Sequence, residues 1–173
     1  MSPVVVVVGP QAIRGPNDVA SESVSVALEC IDDDLALLDD QVVEVRRLWS
    51  DLLAAAAGEC AGTLVLVVPT WWSTARVELL EGAARGAAAD VVVLRRGSVL
   101  SADSGATVVE FGDEFLVIVS PSAEMVVLPR DERDVVARLA GATEIVVDVP
   151  AAVSAPAPNL AARLHAGGAA VAF

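Results

Sequence analysis

Apolar and polar residues fall in blocks along the chain, and the blocks change period. Residues 63–94 show this most clearly. Thr63 to Val68 is a short apolar run rich in β-branched residues, which suits a buried strand. Pro69 stops it, because proline has no N–H for a sheet ladder. Ser73 is placed to cap a helix that starts after it. Val77, Leu80, Ala84 and Ala87 then recur at helical spacing, with Arg76, Glu78, Glu81 and Arg85 on other faces. Val91 to Leu94 is apolar again. The pattern predicts strand, helix, strand, with the helix covering one face of a sheet.

The same reading extends to both sides. Val4 to Val8 is all valine, as expected of a strand buried on both faces. A loop with Gly9, Pro10, Gly15, Pro16 and Asn17 comes next. Ser23 to Ile31 alternates, with Val24, Val26, Leu28 and Cys30 on one side, and predicts a second strand. Asp32, Asp33 and Asp34 turn the chain, Leu35 to Leu38 is a third strand, and Asp39 and Asp40 turn it again. Short connections predict an antiparallel meander of these three strands. Val45 to Ala57 is a helix burying Val45, Leu48, Trp49, Leu52 and Ala56, closed by Gly58. Arg95 to Ser98 lead into a loop or a short helical turn.

Strands are then predicted over 107–111, 115–119 and 125–128, with turns at Gly112–Asp113 and Pro121–Ser122. Asp131 to Ala140 is a helix with an acidic start, ended by Gly141. Glu144 to Val149 is a strand stopped by Pro150. A loop over 151–158 leads to a helix from Asn159 to Ala166, ended by Gly167 and Gly168, and then a last strand over 169–173. Both halves thus read as three strands, a helix, a strand ending in Val-Pro (Val68-Pro69, Val149-Pro150), a helix and a strand. This is a repeat of pattern with little shared identity. The expected fold is α/β with a duplicated unit, the first lobe over 1–100 and the second over 101–173.

Composition narrows the function. The chain has 173 residues, 55% hydrophobic, with a mean hydropathy of +0.62. Its net charge of −13 and pI near 4.2 disfavour nucleic acid and anionic membrane as partners, because phosphates are repelled. All 11 basic residues are arginine, which excludes a Schiff-base lysine and a Walker A lysine. Cys30 and Cys60 have no metal-ligand spacing and are expected as reduced, buried thiols in a cytoplasmic protein. The N-terminus reads as no signal peptide. The most membrane-like window, Leu52 to Trp72, contains Gly58, Glu59, Gly62 and Pro69, and no membrane span is expected.

A duplicated unit of three meander strands, helix, strand and helix resembles the ribonuclease-H-like core of the actin-like ATPases, which include actin, sugar kinases and heat-shock chaperones. Val68-Pro69-Thr70-Trp71-Trp72-Ser73-Thr74-Ala75-Arg76 looks like the chaperone segment Val-Pro-Ala-Tyr-Phe-Asn-Asp-Ala-Gln. The accessory lobes that clamp nucleotide are missing. The valine- and alanine-rich composition, the Trp71-Trp72 pair and the reduced core also resemble the N-terminal region of type VII secretion-associated proteins of actinobacteria. The resemblance implies a cytoplasmic scaffold or adaptor, bound to secretion-system proteins and possible as a homo-oligomer.

The resemblance also implies where a nucleotide site would lie. Actin-like ATPases cradle phosphate in two glycine-rich hairpin turns, each led by an aspartate that organises Mg²⁺ and water. The first turn corresponds to Val7-Val8-Gly9-Pro10-Gln11, without the aspartate and with a proline that lacks an N–H. The second corresponds to Glu110-Phe111-Gly112-Asp113-Glu114, where the last two carboxylates oppose a phosphate. A Glu-Pro after the central strand is replaced by about Arg95-Arg96-Gly97. Gly9, Glu110 and Gly112 therefore mark a vestigial site, no ATP or Mg²⁺ is expected as a cofactor, and the chain is not expected to be an enzyme. The rival is a divergent ATPase or nucleotide sensor using Glu110 and Gly112, and a third reading is a self-assembling unit. Trp71 and Trp72 are candidates for a partner interface, since tryptophan dominates binding hot spots, or for packing under loops. Asp32, Asp33, Asp34, Asp39 and Asp40 fit solvated turns better than a cation site, as their spacing matches no calcium loop. Ser101, Asp103 and Ser104 are expected in a loop with no base nearby in sequence, and His165 is expected at a helix end, where its charge suits the dipole.

Overall fold

The computed structural model describes residues 2–112, 115–122, 124–129, 132–149, 159–166 and 170–172. It is a mixed α/β chain in two units, 1–94 and 95–173.

The first unit carries β1 (Val4–Val8), β2 (Ile13–Arg14), α1 (Ser21–Glu29), β3 (Leu35–Leu38), β4 (Gln41–Glu44), α2 (Val45–Ala57), β5 (Thr63–Val68), α3 (Thr74–Ala84) and β6 (Asp90–Arg95). Its main sheet has the order β2-β1-β5-β6. β1 runs parallel to β5, with Val6 opposite Leu66, and antiparallel to the two-residue β2. Alternate residues of β1 and β5 (Val6, Val8, Leu64, Leu66 and Val68) pack with Trp49, Leu53 and Leu80 of the helices in one core. The all-valine strand is buried on that face only, since Val5 on the other is 47% exposed.

The expected meander is absent from this unit. Residues 21–29 form α1 instead of a strand, burying Val24 and Ala27, a spacing of three that helices produce and strands do not. Among the described residues β3 pairs only with β4, across a two-residue turn in which Asp39 and Asp40 both have positive φ. That is the backbone of a type I′ hairpin. The expected helix α2 buries the expected face, with Leu53 and Ala57 added. At its end Asn17 donates from its backbone N–H to Ala56 O and from Nδ2 to Ala55 O, satisfying two terminal carbonyls. Gly58 turns away with φ 66° and ψ −149°, a region only glycine enters readily. The expected cap of α3 holds, since Ser73 Oγ accepts from the Arg76 N–H at 3.3 Å.

The second unit carries α4 (Arg96–Ser104), β7 (Thr107–Phe111), β8 (Phe115–Val119), β9 (Met125–Pro129), α5 (Glu132–Arg138), β10 (Glu144–Asp148), α6 (Asn159–Ala166) and β11 (Ala170–Ala172). The expected division at residue 100 falls inside α4. The sheet order is β11-β10-β7-β8-β9. β7, β8 and β9 form the expected antiparallel meander, and β10 runs parallel to β7 and to β11. One face of the sheet, with Val109, Phe111, Leu116, Ile118, Ile145 and Val147, packs on Val135, Leu139 and Leu164. α4 covers the other, against β7, β8 and β10. The loop 151–158, Pro150, Gly167 and Gly168 lie outside the described residues, as does the side chain of Asn159.

Candidate functional site

The two glycine turns are built alike. After β1, the Gly9 N–H donates to Ala12 O at 2.7 Å; after β7, the Gly112 N–H donates to Phe115 O at 2.8 Å. Both N–H groups are thus directed into their own hairpins, where they are not available to a phosphate. Pro10 contributes no N–H. Gly9 belongs to the first unit and Gly112 to the second; Asp113 and Glu114 lie outside the described residues.

Glu110 sits in β7 on the face under α4 and is wholly buried. Parallel pairing places Asp148 of β10 directly opposite it. Two carboxylates on neighbouring central strands would repel in a low-dielectric interior. Arg96, the first residue of α4, meets that charge. Its Nε donates to Asp148 Oδ2 at 2.5 Å and its Nη2 to Asp148 Oδ1 at 2.8 Å, a two-pronged fit of guanidinium to carboxylate. The hydrogen bond to Asp148 raises the Arg96 pKa most; burial opposes it, and the charges of Asp148 and Glu110 add to the rise. Arg96, which stands about where the resemblance places a carboxylate, is therefore the counter-ion of Asp148, with the charge of Glu110 adding to the rise in its pKa. Asp148 carried no sequence signal, because only strand register brings it beside Glu110.

Trp72 is 4% exposed and makes edge-on contacts with Trp49 and Trp71, each with ring centroids 6.4 Å apart. Trp71 is half-buried and packs on the same core. Trp72 therefore leaves little surface for a partner, and Trp71 leaves more. Ser101 and Ser104 lie in α4, not in a loop. Their hydroxyls donate to Ala106 O and Leu100 O, both at 2.7 Å, which settles the end of the helix. Asp103 is exposed there. His165 is exposed in the last turn of α6, as its charge preference predicts. Cys30 and Cys60 are free thiols, half-buried where full burial was expected.

Asp32 is held by Arg76, whose Nε donates to Oδ1 at 2.8 Å and whose Nη2 donates to Oδ2. That hydrogen bond lowers the Asp32 pKa against a small opposing effect of burial. Among the described residues no group of three His, Cys, Asp or Glu side chains could hold a metal ion. A half-open pocket of about 300 Å³ in the second unit is lined by Thr107, Ile118, Ser120, Glu124, Arg138 and others. It lies on the face of the sheet opposite Glu110 and takes in none of the candidates. No described helix is long and apolar enough to cross a membrane. Compared with known proteins, the chain matches no family model and none of the curated proteins.

Proposed function

We propose that the chain is a non-catalytic, actin-like scaffold or adaptor that works in the cytoplasm with a type VII secretion system. The observation that carries the non-catalytic part is the clasp of Arg96 on Asp148 beside buried Glu110. A metal-dependent phosphoryl transfer needs carboxylates free to hold Mg²⁺ and backbone donors aimed at phosphate. Here an arginine takes Asp148, the carboxylate opposite Glu110, and both glycine N–H groups close hairpins. The meander of β7, β8 and β9 followed by α5, β10 and α6 supports the actin-like part, while the first unit keeps only part of that order. The secretion setting rests on the resemblance of the valine- and alanine-rich composition, the Trp71-Trp72 pair and the reduced core.

Calorimetric titration with ATP and ADP, with and without Mg²⁺, tests the non-catalytic reading. No heat and no shift in melting temperature are expected. Mg²⁺-dependent binding that fails in Glu110→Gln would replace it with a nucleotide sensor. Capture from an actinobacterial lysate that recovers no secretion component would count against the setting.

A further inference from the structure

Among the described residues the three most exposed large aliphatic side chains, Val42 (70%), Leu37 (60%) and Leu35 (57%), share one face of the β3–β4 hairpin. The register fixes this: Leu37 stands opposite Val42, and Leu35 opposite Glu44. The other face, with Ala36, Leu38 and Val43, turns to the core of the first unit. Exposed aliphatic residues are ordinary when scattered; grouped on one surface they mark contact sites. Among the described residues β3 and β4 pair with no other strand, so each also leaves a backbone edge unpaired.

Carboxylates ring this face. Asp33 and Asp34 precede it, Asp39 and Asp40 form its tip and Glu44 closes it, all exposed. Among the described residues none of the five enters an ion pair; Asp32 is the one taken, by Arg76. An apolar centre with an acidic rim selects its occupant by charge. A second copy would set rim against rim, and anionic lipid or nucleic acid would be repelled.

We propose that the outer face of the β3–β4 hairpin is a docking surface for a short segment of another protein that carries aliphatic side chains between basic ones. Leu35, Leu37 and Val42 receive the aliphatic groups, and the five carboxylates pair the basic ones and hasten encounter at low salt. The inference rests on the adaptor reading and names its partner class.

The test is an NMR titration of the isotope-labelled full chain with a short peptide alternating leucine and lysine. Controls replace its leucines by serine or its lysines by glutamate. Shifts confined to residues 33–44 are expected. Binding should weaken about tenfold or more in Leu37→Ser/Val42→Ser, and should also weaken in Asp39→Asn/Asp40→Asn and at high salt. Asparagine tolerates the positive φ of the tip, and all four positions are exposed, so these variants keep the fold. Absent binding, shifts elsewhere, equal binding of the serine peptide or insensitivity to Leu37→Ser/Val42→Ser would overturn the proposal. So would a concentration-dependent mass in sedimentation that Leu37→Ser/Val42→Ser abolishes, because a second copy would then be the occupant. Nucleotide calorimetry on the same sample judges the adaptor reading separately.

Discussion

Arg96→Ala is the sharpest perturbation of the second unit. It removes the cation facing Asp148 and leaves Glu110, wholly buried, beside a carboxylate with no counter-charge. Breaking a buried pair from one side costs about 3–5 kcal/mol. Arg96 keeps 34% of its side-chain surface in solvent and Asp148 keeps 12%, so water recovers part of this, and about 2 kcal/mol is expected. For a chain of this length that lowers the melting temperature by about 4–8 °C, read by circular dichroism at neutral pH. Arg96→Met keeps the packed stem and should lose most of the same stability, so charge and packing separate. Glu110→Gln placed in the Arg96→Ala background takes away the carboxylate that faces Asp148 and should regain stability. If Arg96→Ala falls within about 0.5 kcal/mol of the parent, or if Glu110→Gln brings no gain there, Arg96 is not neutralising this pair.

Gly58→Ala should cost about 1–3 kcal/mol in urea unfolding, since its φ and ψ suit only glycine. The new Cβ would also lie 2.6 Å from Asn17 Nδ2, so adding Asn17→Ala should relieve the clash but not the backbone strain. Arg76 holds the Asp32 pKa below its ordinary 3.8. A depressed carboxylate contributes stability above its unfolded pKa and loses it as pH falls through the lower folded value. With Asp32 64% exposed, the contribution is at most about 1 kcal/mol, but an NMR titration of the Asp32 carboxyl should move up to the ordinary range in Arg76→Gln.

Where period and punctuation agree, the fold was legible from sequence. Residues 63–94 combine a β-branched run, a proline stop, a serine cap and helical spacing, and the structure obeys them. Residues 21–31 satisfy two periods at once. Val24, Val26, Leu28 and Cys30 alternate as in a strand, while Val24, Ala27 and Ile31 recur as in a helix, and only packing of Ala27 into the core decides. The five valines of β1 have no period at all, so nothing local says which face is open. β4 was missed because Asp39-Asp40 is a weaker hairpin signal than Asn-Gly, and because Gln41 and Glu44 read as the approach to α2.

The candidate site divides along the same line between local and non-local chemistry. The absence of an aspartate and the presence of a proline in the first glycine turn are local facts, readable without any structure. The contacts around Glu110 are non-local. Glu110 and Asp148 meet only because β7 and β10 pair in register, and Arg96 reaches them only because residues 96–104 fold into a helix rather than a loop. The guanidinium offsets the charge of Asp148 where the two carboxylates face each other. The guanidinium is fixed to the backbone and cannot exchange ligands, so the charge it balances on Asp148 serves the stability of the fold.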